Sequence, residues 1–310
     1  MKMMNALKKL AESYIFILCL ALMAGFLLPA SKMLIPYNTL LLQAIFLISS
    51  LKLDVGELLK RGKDWKLLIV SNAILLILFP LVVRWLAPMI VPDLAFPLFL
   101  LALMPAGMTA PLLVEVVGGR QALALVVTVT SSLLAPFTIP LMIKFAYGTS
   151  VSVDVWSMCK NLLLIIVIPF ALGLIIKKFA GKLVVTVNEH SKPFSLLLLG
   201  AVVASAISAH ASDIVTSLTQ GPELLWTLVI LYIFFLAHHL IGYYGLWWEP
   251  REDRMTLSVC LTYMNFTLAI YLATTYFPDP KIILPLVLAI LPWATLLPIW
   301  KKIDAAHVLP

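Results

Sequence analysis

Charge is scarce in this chain. Asp, Glu, Lys and Arg make up 12% of its 310 residues, where a soluble chain carries about 25%. So few charged groups cannot cover a globule of this size with water-compatible surface, which excludes a soluble domain. Cysteine is scarce as well: Cys19, Cys159 and Cys260, each inside an apolar stretch. That placement excludes a disulfide framework and a clustered zinc site. The net charge of +7 is not gathered into a basic stripe with interleaved aromatics, so nucleic acid is not a partner. Clustered catalytic carboxylates, a Ser/His/Asp set and a metal motif are all missing from the apolar runs, which argues against an enzyme and against a bound cofactor.

What the chain has instead is apolar length. Residues of the set AVILMFWYC form 62% of it, against roughly 45–50% apolar usage in soluble domains. A helix needs about 20 apolar residues to cross the hydrocarbon core. Ten runs meet that need: Tyr14–Leu34, Tyr37–Leu53, Lys66–Pro88, Leu94–Val117, Gln121–Tyr147, Val155–Phe179, Pro193–His210, Glu223–Trp248, Met255–Phe277 and Ile282–Trp300. Connections are short, so residues 1–310 read as a single integral membrane domain in the lipid bilayer. Lys8 and Lys9 before the first run resemble a signal peptide, but nine further runs favour an uncleaved first helix.

Lys and Arg give the orientation. With the N-terminus inside, 17 of them fall on the inner side, among them Lys60, Arg61, Lys63, Arg120, Lys177, Lys178, Arg251 and Arg254. Five fall outside: Lys32, Arg84, Lys144, Lys160 and Lys281. A wrong helix count would scramble that alternation, so the sequence predicts ten spans, both termini cytoplasmic and residence in the cell membrane. Trp65, Trp85, Trp156, Trp226, Trp247, Trp248 and Trp300 lie near span ends, as interfacial anchors do.

Segment four carries Pro105-Ala-Gly107-Met108-Thr109-Ala110-Pro111 at its centre. Proline removes a donor and disfavours helix in the residue before it. The pattern predicts an interrupted helix, with a simple proline kink as the plainer alternative. Unwound backbone at bilayer depth is tolerated only where protein or a water-filled cavity satisfies it, and half-helix ends then face substrate or ion. Segment nine, the counterpart in the second half, has the polar centre Thr262-Tyr263-Met264-Asn265-Phe266-Thr267. Asn265 is costly in a span unless it meets a partner, which is either a site or a neighbouring helix.

Five helices cannot return to their starting side, so two consecutive halves, about 10–148 and about 150–303, must be inverted repeats. Pro136 and Pro140 in segment five and Pro292 and Pro298 in segment ten are a weak trace of that symmetry.

Taken together, these segments resemble the bile acid:sodium symporter family. The resemblance rests on Leu51-Lys-Leu53, Glu57, Lys63 and Pro80, and on Pro105-Ala-Gly107 with Ser131-Ser-Leu-Leu-Ala-Pro136. It rests equally on His238-His239-Leu-Ile-Gly242-Tyr243 and Asn265-Phe-Thr-Leu-Ala269. It implies an all-α membrane fold of ten helices, with interleaved core and panel subdomains and segments four and nine crossing at unwound centres. It also implies alternating-access transport of a small organic anion, with Gly107, Met108, Thr109, Ala110, Thr262, Tyr263, Asn265 and Phe266 around the substrate.

The departures bear on coupling. Where the family has sodium ligands, this chain has Ala110, Pro111, Cys260, Met264 and Leu75, with Thr128 and Asn265 remaining. Sodium wants oxygen ligands, so two intact sodium sites are not expected. Trp293 and Ala294 replace a polar pair near the family's cavity, implying a drier pocket. Sodium, a proton or no ion at all remain open. Candidate proton groups are Glu115, His238, His239 and Asp213. Pairing of Glu115 with Arg120, and structural hydrogen bonds by the two histidines, are the plainer readings. The hydroxyls Thr128, Thr130, Ser131 and Ser132 read first as helix packing, Thr128 lying one turn from Ser131 and Ser132. A membrane sensor or partner-binding protein on the same fold is the alternative function.

Overall fold

The computed structural model describes residues 14–51, 65–148, 154–212, 215 and 223–305. Lys2, Lys8, Lys9, the stretch carrying Lys52, Glu57, Lys60, Arg61 and Lys63, and Asp213 lie outside the described residues. Among those described, the backbone is helical apart from turns and one isolated bridge between Ala106 and Met264.

Six stretches are long and apolar enough to cross a membrane: Pro29–Leu51, Trp65–Ile90, Gln121–Tyr147, Val155–Phe179, Leu224–Tyr244 and Pro280–Lys302. Pro92–Ala102, Pro193–Ala209 and Phe266–Tyr276 are shorter apolar helices. A multi-pass membrane protein follows, because in lipid only a helix satisfies each backbone group within its own segment.

Several boundaries differ from the sequence expectation. The first helix, α1, spans Tyr14–Leu27 and stops before Pro29. A 3-10 helix over Pro29–Tyr37 then runs directly into α2, Asn38–Leu51. The 3-10 turn tolerates prolines that an α-helix would not extend through. The third segment is α3, Trp65–Ala73, and α4, Phe79–Ile90, joined by a π-turn over Ile74–Leu78. The sixth repeats that device: α8, Val155–Leu162, a π-turn over Leu163–Val167, and α9, Ile168–Phe179. Pro80 and Pro169 each follow the wide turn by two residues, and the extra residue relieves the clash of the proline ring with the preceding turn. The seventh helix, α10, starts at Gly181 rather than Pro193 and carries Pro193 within it.

The fold comprises two compact units. One holds residues 1–53, 161–221 and 270–287. There α10 packs on α1, and α9 on α2, at small residues: a Cβ on Gly25 would lie 2.7 Å from Ile207 Cβ, and one on Gly173 of α9 would overlap Ser50 Oγ of α2. Ser205 Oγ donates to Asn38 Oδ1 at 2.9 Å inside this unit. Close backbone approach and buried polar pairs are the usual glue between helices in lipid.

The other unit holds residues 54–160, 222–269 and 288–310. It contains both halves of segment four, α5 (Ala95–Ala102) and α6 (Ala110–Val116), and the long α7, Gln121–Tyr147. It also contains α11, Glu223–Tyr244, α12, Arg251–Thr262, and the start of α13, Phe266–Tyr276. After α14, Pro280–Leu288, the chain re-enters it as α15, Ile290–Ala305. The α11–α12 hairpin is close-packed, a Cβ on Gly242 lying 2.5 Å from Ser258 Cα.

Candidate functional site

Segment four unwinds because Pro105 cannot continue the α-ladder. The end of α5 tightens, with Leu103 N–H donating to Phe99 O at 3.0 Å and Met104 N–H to Leu101 O at 3.1 Å. The chain then extends through Ala106 before α6 begins at Ala110. Segment nine unwinds at Tyr263–Asn265 with no proline or glycine of its own. Its lost helical bonds are replaced by tertiary ones. Gly107 N–H donates to Tyr263 O at 2.7 Å, and Asn265 N–H donates to Pro105 O at 2.8 Å. The two unwound centres thus cross as an antiparallel bridge between Ala106 and Met264. Ala106 N–H completes the accounting by donating to Ser131 Oγ of α7 at 3.2 Å.

Gly107 is required at this crossing. A Cβ there would stand 2.6 Å from Tyr263 O and 2.9 Å from Met264 O, both backbone atoms. Asn265 is buried, and its Oδ1 accepts from Leu268 N–H at 3.1 Å, capping the first turn of α13. That bond answers the partner question raised by an amide in a span: the oxygen is committed to the local backbone.

The other expected residues divide. Met108 and Thr109 are half-buried, whereas Ala110, Tyr263 and Phe266 are buried. Thr262 is fully buried and spends its hydroxyl on Ser258 O at 2.8 Å. The half-helix α6 has only seven residues and loses one donor to Pro111, so its dipole is smaller than the broken-helix reading implies.

On α7, Thr128 Oγ1 and Ser132 Oγ are buried with no hydrogen-bond partner, one turn apart. Ser131, on the same face, donates to Thr128 O and holds Ala106 N–H. Ser131 does more than pack, since it also holds the backbone of segment four. Ser131 touches the crossing, and its i, i+3 spacing from Thr128 is the signal for it. Thr130 points elsewhere and accepts from Asn72 Nδ2 at 2.9 Å.

The two histidines occupy different surroundings. His238 is enclosed by Phe79, Phe234 and Phe235, with ring centroids 4.1, 4.2 and 5.9 Å away. Its Nδ1 lies 2.8 Å from Phe234 O, and since a carbonyl only accepts, Nδ1 carries the proton. His239 reaches Ser258, whose Oγ donates to His239 O at 3.0 Å. The hydroxyl proton is thereby committed, so the 3.0 Å contact from His239 Nδ1 must be an N–H donating to Ser258 Oγ. His239 Nε2, Tyr263 Oη and Trp300 Nε1 are buried and unsatisfied. They share one aromatic cluster: His239 stacks on Trp300 at 4.5 Å and meets Tyr263 edge-on at 5.6 Å. Trp300 is therefore a core residue, 1% exposed, and not the interfacial anchor the sequence suggests. Trp293 packs against Tyr263 at 5.5 Å.

Glu115 is exposed and accepts from Gln121 Nε2 at 3.3 Å, while Arg120 forms its ion pair with the buried Asp253. Arg120 N–H also donates to Thr256 Oγ1 at 2.8 Å, fastening the turn after α6 to the first turns of α12. Burial pushes the Asp253 carboxyl above its ordinary range, and the Arg120 guanidinium pulls in the opposite direction.

Among characterised and uncharacterised relatives, YbaS of Bacillus subtilis, an uncharacterized protein, is 28% identical over 204 residues, covering 63% of each chain. A probable chloroplastic sodium/metabolite cotransporter of rice, BASS5, is 26% identical over 190 residues, 58% of this chain and 46% of that one. The uncharacterized sodium-dependent transporter YocS of Bacillus subtilis is 28% identical over 151 residues, 49% of this chain and 44% of its own. The chain thus matches less than two thirds of the length of these relatives. The sequence model of the SBF-like CPA transporter family matches residues 12–292, nearly the whole length, and the chain belongs to that family.

Proposed function

We propose that the protein is a secondary transporter of small organic anions working by alternating access, with its substrate held at the crossing of segments four and nine. One observation carries the reading. Two helices unwind at mid-length and bridge each other through Gly107 N–H to Tyr263 O and Asn265 N–H to Pro105 O. Unwound backbone at depth survives only in protein or along a cavity, and broken helices at that place hold substrates in transporters. The first turn of α13 from Phe266 supplies dipole and the N–H groups not taken by Pro105 O or Asn265 Oδ1 to a carboxylate or sulfonate, beside Asn265, Gly107, Met108, Thr109, Ala110, Thr262 and Tyr263.

The proposal includes ten spans as two inverted repeats, about 10–148 and about 150–303. Core and panel subdomains alternate along one membrane domain in the cell membrane, with both termini cytoplasmic. The protein catalyses no reaction in this reading.

For coupling, the names of the cotransporter relatives point to sodium, and the residues here fit it weakly. Thr128 Oγ1 and Ser132 Oγ are buried oxygens without a hydrogen-bond partner, on the helix whose Ser131 holds Ala106 N–H, but Cys260 and Met264 stand where carboxylate and amide oxygens would be needed. We therefore expect uptake with little dependence on sodium. The test is uptake of a panel of carboxylates and sulfonates into proteoliposomes holding the full chain, under sodium, proton or no gradient. Uptake equal with and without sodium supports the reading. Steep sodium dependence overturns the coupling claim, and no uptake of any anion under any gradient overturns transport in favour of a sensor.

A further inference from the structure

Segments four and nine are tied together at a second place. Beyond Gly107 the chain forms α6, then turns through Gly118 and Gly119 into α7. Gly118 has φ +73°, a conformation that a residue with a side chain rarely adopts. Arg120 follows this joint directly and is fastened twice to α12. Its N–H donates to Thr256 Oγ1 at 2.8 Å, and its guanidinium pairs with the Asp253 carboxylate. Gly119 lets the two backbones meet there, since a Cβ on it would stand 2.9 Å from Thr256 Oγ1 and 3.3 Å from Glu252 O.

Bridge and ion pair hold α6 at its two ends. The bridge is antiparallel, so the chain running from Gly107 to Arg120 passes along α12 from Tyr263 back to Asp253, and α6 packs on α12. The lengths match. The seven residues of α6 rise about 10 Å, as does the stretch of α12 from Thr256 to Tyr263. A helix this short has little stability of its own, so its direction is set by what holds its ends. The chemistry of the second tie fits that task. Asp253 is 3% exposed, and a buried ion pair adds little net stability because desolvation offsets the attraction. What it does impose is register, since any displacement leaves a charge buried and unpaired.

We propose that Arg120 and Asp253 are a positioning pair for the crossing: they set the direction of α6 on α12 and thereby hold Gly107 against Tyr263 at the substrate site. The test uses the purified full-length protein and two readouts. One is amide hydrogen exchange over residues 103–110 and 262–268; the other is KM for anion uptake into proteoliposomes. Uptake rests on the transport reading and exchange does not, so a wild type that transports nothing sinks that reading and leaves exchange to decide the pair's role.

The decisive variant removes both charges together, Arg120→Met with Asp253→Leu, leaving neither unpaired, and should unfold near the wild-type midpoint. Its two crossing stretches should exchange about tenfold faster than in wild type, and KM should rise about fivefold at little change in maximal rate. Thr256→Val, which removes the acceptor of Arg120 N–H, should shift both readouts the same way, and Thr256→Ser should restore them; these variants carry the test if the double variant does not fold. Arg84→Gln is the control, removing the Arg84 Nε donor from Ala146 O at the opposite end of α7, and should leave KM unchanged. Wild-type exchange at the crossing overturns the proposal. So does faster exchange spread evenly over the chain, which would make the pair an ordinary stabilising contact. Faster exchange at the crossing with an unchanged KM overturns the tie to substrate, as does an equal rise of KM in Arg84→Gln.

Discussion

Replacing Gly107 by Ala adds one methyl group where segments four and nine cross. Its carbon would lie 2.6 Å from Tyr263 O and 2.9 Å from Met264 O. Carbon and carbonyl oxygen ordinarily approach no closer than about 3.3 Å, so the two backbones must part by roughly 0.7 Å. The bridge cannot stretch that far. The Gly107 N–H to Tyr263 O bond is already 2.7 Å long, and lengthening it to about 3.4 Å leaves the range of a hydrogen bond. Overpacking costs about 1–3 kcal/mol, and each backbone group left buried and unpaired costs a further ~1–3 kcal/mol. A loss on the order of 3–5 kcal/mol corresponds to a fall in Tm of roughly 5–10 °C. The assay is thermal unfolding of the detergent-solubilised protein, followed by uptake into proteoliposomes at a temperature where the variant remains folded. Gly200→Ala is the matched control, because its Cβ would come no nearer than 3.3 Å to Ile17 Cγ2, with Ala21 Cβ at 3.6 Å and the nearest backbone atom, Ile17 O, at 3.9 Å. If Gly107→Ala unfolds and transports like wild type, the crossing does not hold the geometry argued for it.

Three further outcomes follow from the same unit. Asn265→Ala removes the cap on Leu268 N–H, so it should lose about 1 kcal/mol of stability and most uptake, while Asn265→Ser keeps a neutral capping acceptor and should recover stability; uptake and unfolding midpoints read both. His238→Phe should be nearly silent in unfolding and uptake, because its ring already packs among phenylalanines. His239→Phe should destabilise by about 1–3 kcal/mol by leaving Ser258 Oγ without its donor in a buried site, and equal midpoints for the two variants would refute the distinction. Thr128→Val with Ser132→Ala removes the two buried hydroxyls of α7 that have no hydrogen-bond partner, and any residual sodium stimulation of uptake should disappear; stimulation that persists places the ion elsewhere.

Different parts of the fold were legible for different physical reasons. The membrane class follows from composition, because lipid leaves no use for charge and a chain with 12% charged residues has no other way to be soluble. The break in segment four is written locally, since Pro105 acts on its own backbone. The break in segment nine is not, because Tyr263–Asn265 contains no residue that must leave the helix. What unwinds it is the carbonyl of Pro105 and the N–H of Gly107, more than 150 residues away in the chain. The cost of a buried amide and the family resemblance both pointed to Asn265, and the amide proved to cap α13 as well as mark the crossing. The boundaries moved for the same reason: π-turns before Pro80 and Pro169 absorb the proline within a continuing helix, an accommodation a residue-by-residue reading cannot weigh.

The histidines show how far sequence can carry a site. Their adjacency in His238-His239 offers two equivalent titratable groups, yet successive residues on a helix face directions about 100° apart. One therefore turns into phenylalanines and the other toward Ser258, Tyr263 and Trp300. Only the second touches the residue at the break. A coupling group must sense whether the crossing is occupied, and His239 reaches it through the Tyr263 ring while His238 meets only apolar neighbours. If a proton drives uptake, its dependence on pH should be lost in His239→Phe and kept in His238→Phe. Loss in both variants would refute the distinction drawn between them, and loss in neither would remove the histidines from the mechanism and return the coupling to the hydroxyls of α7.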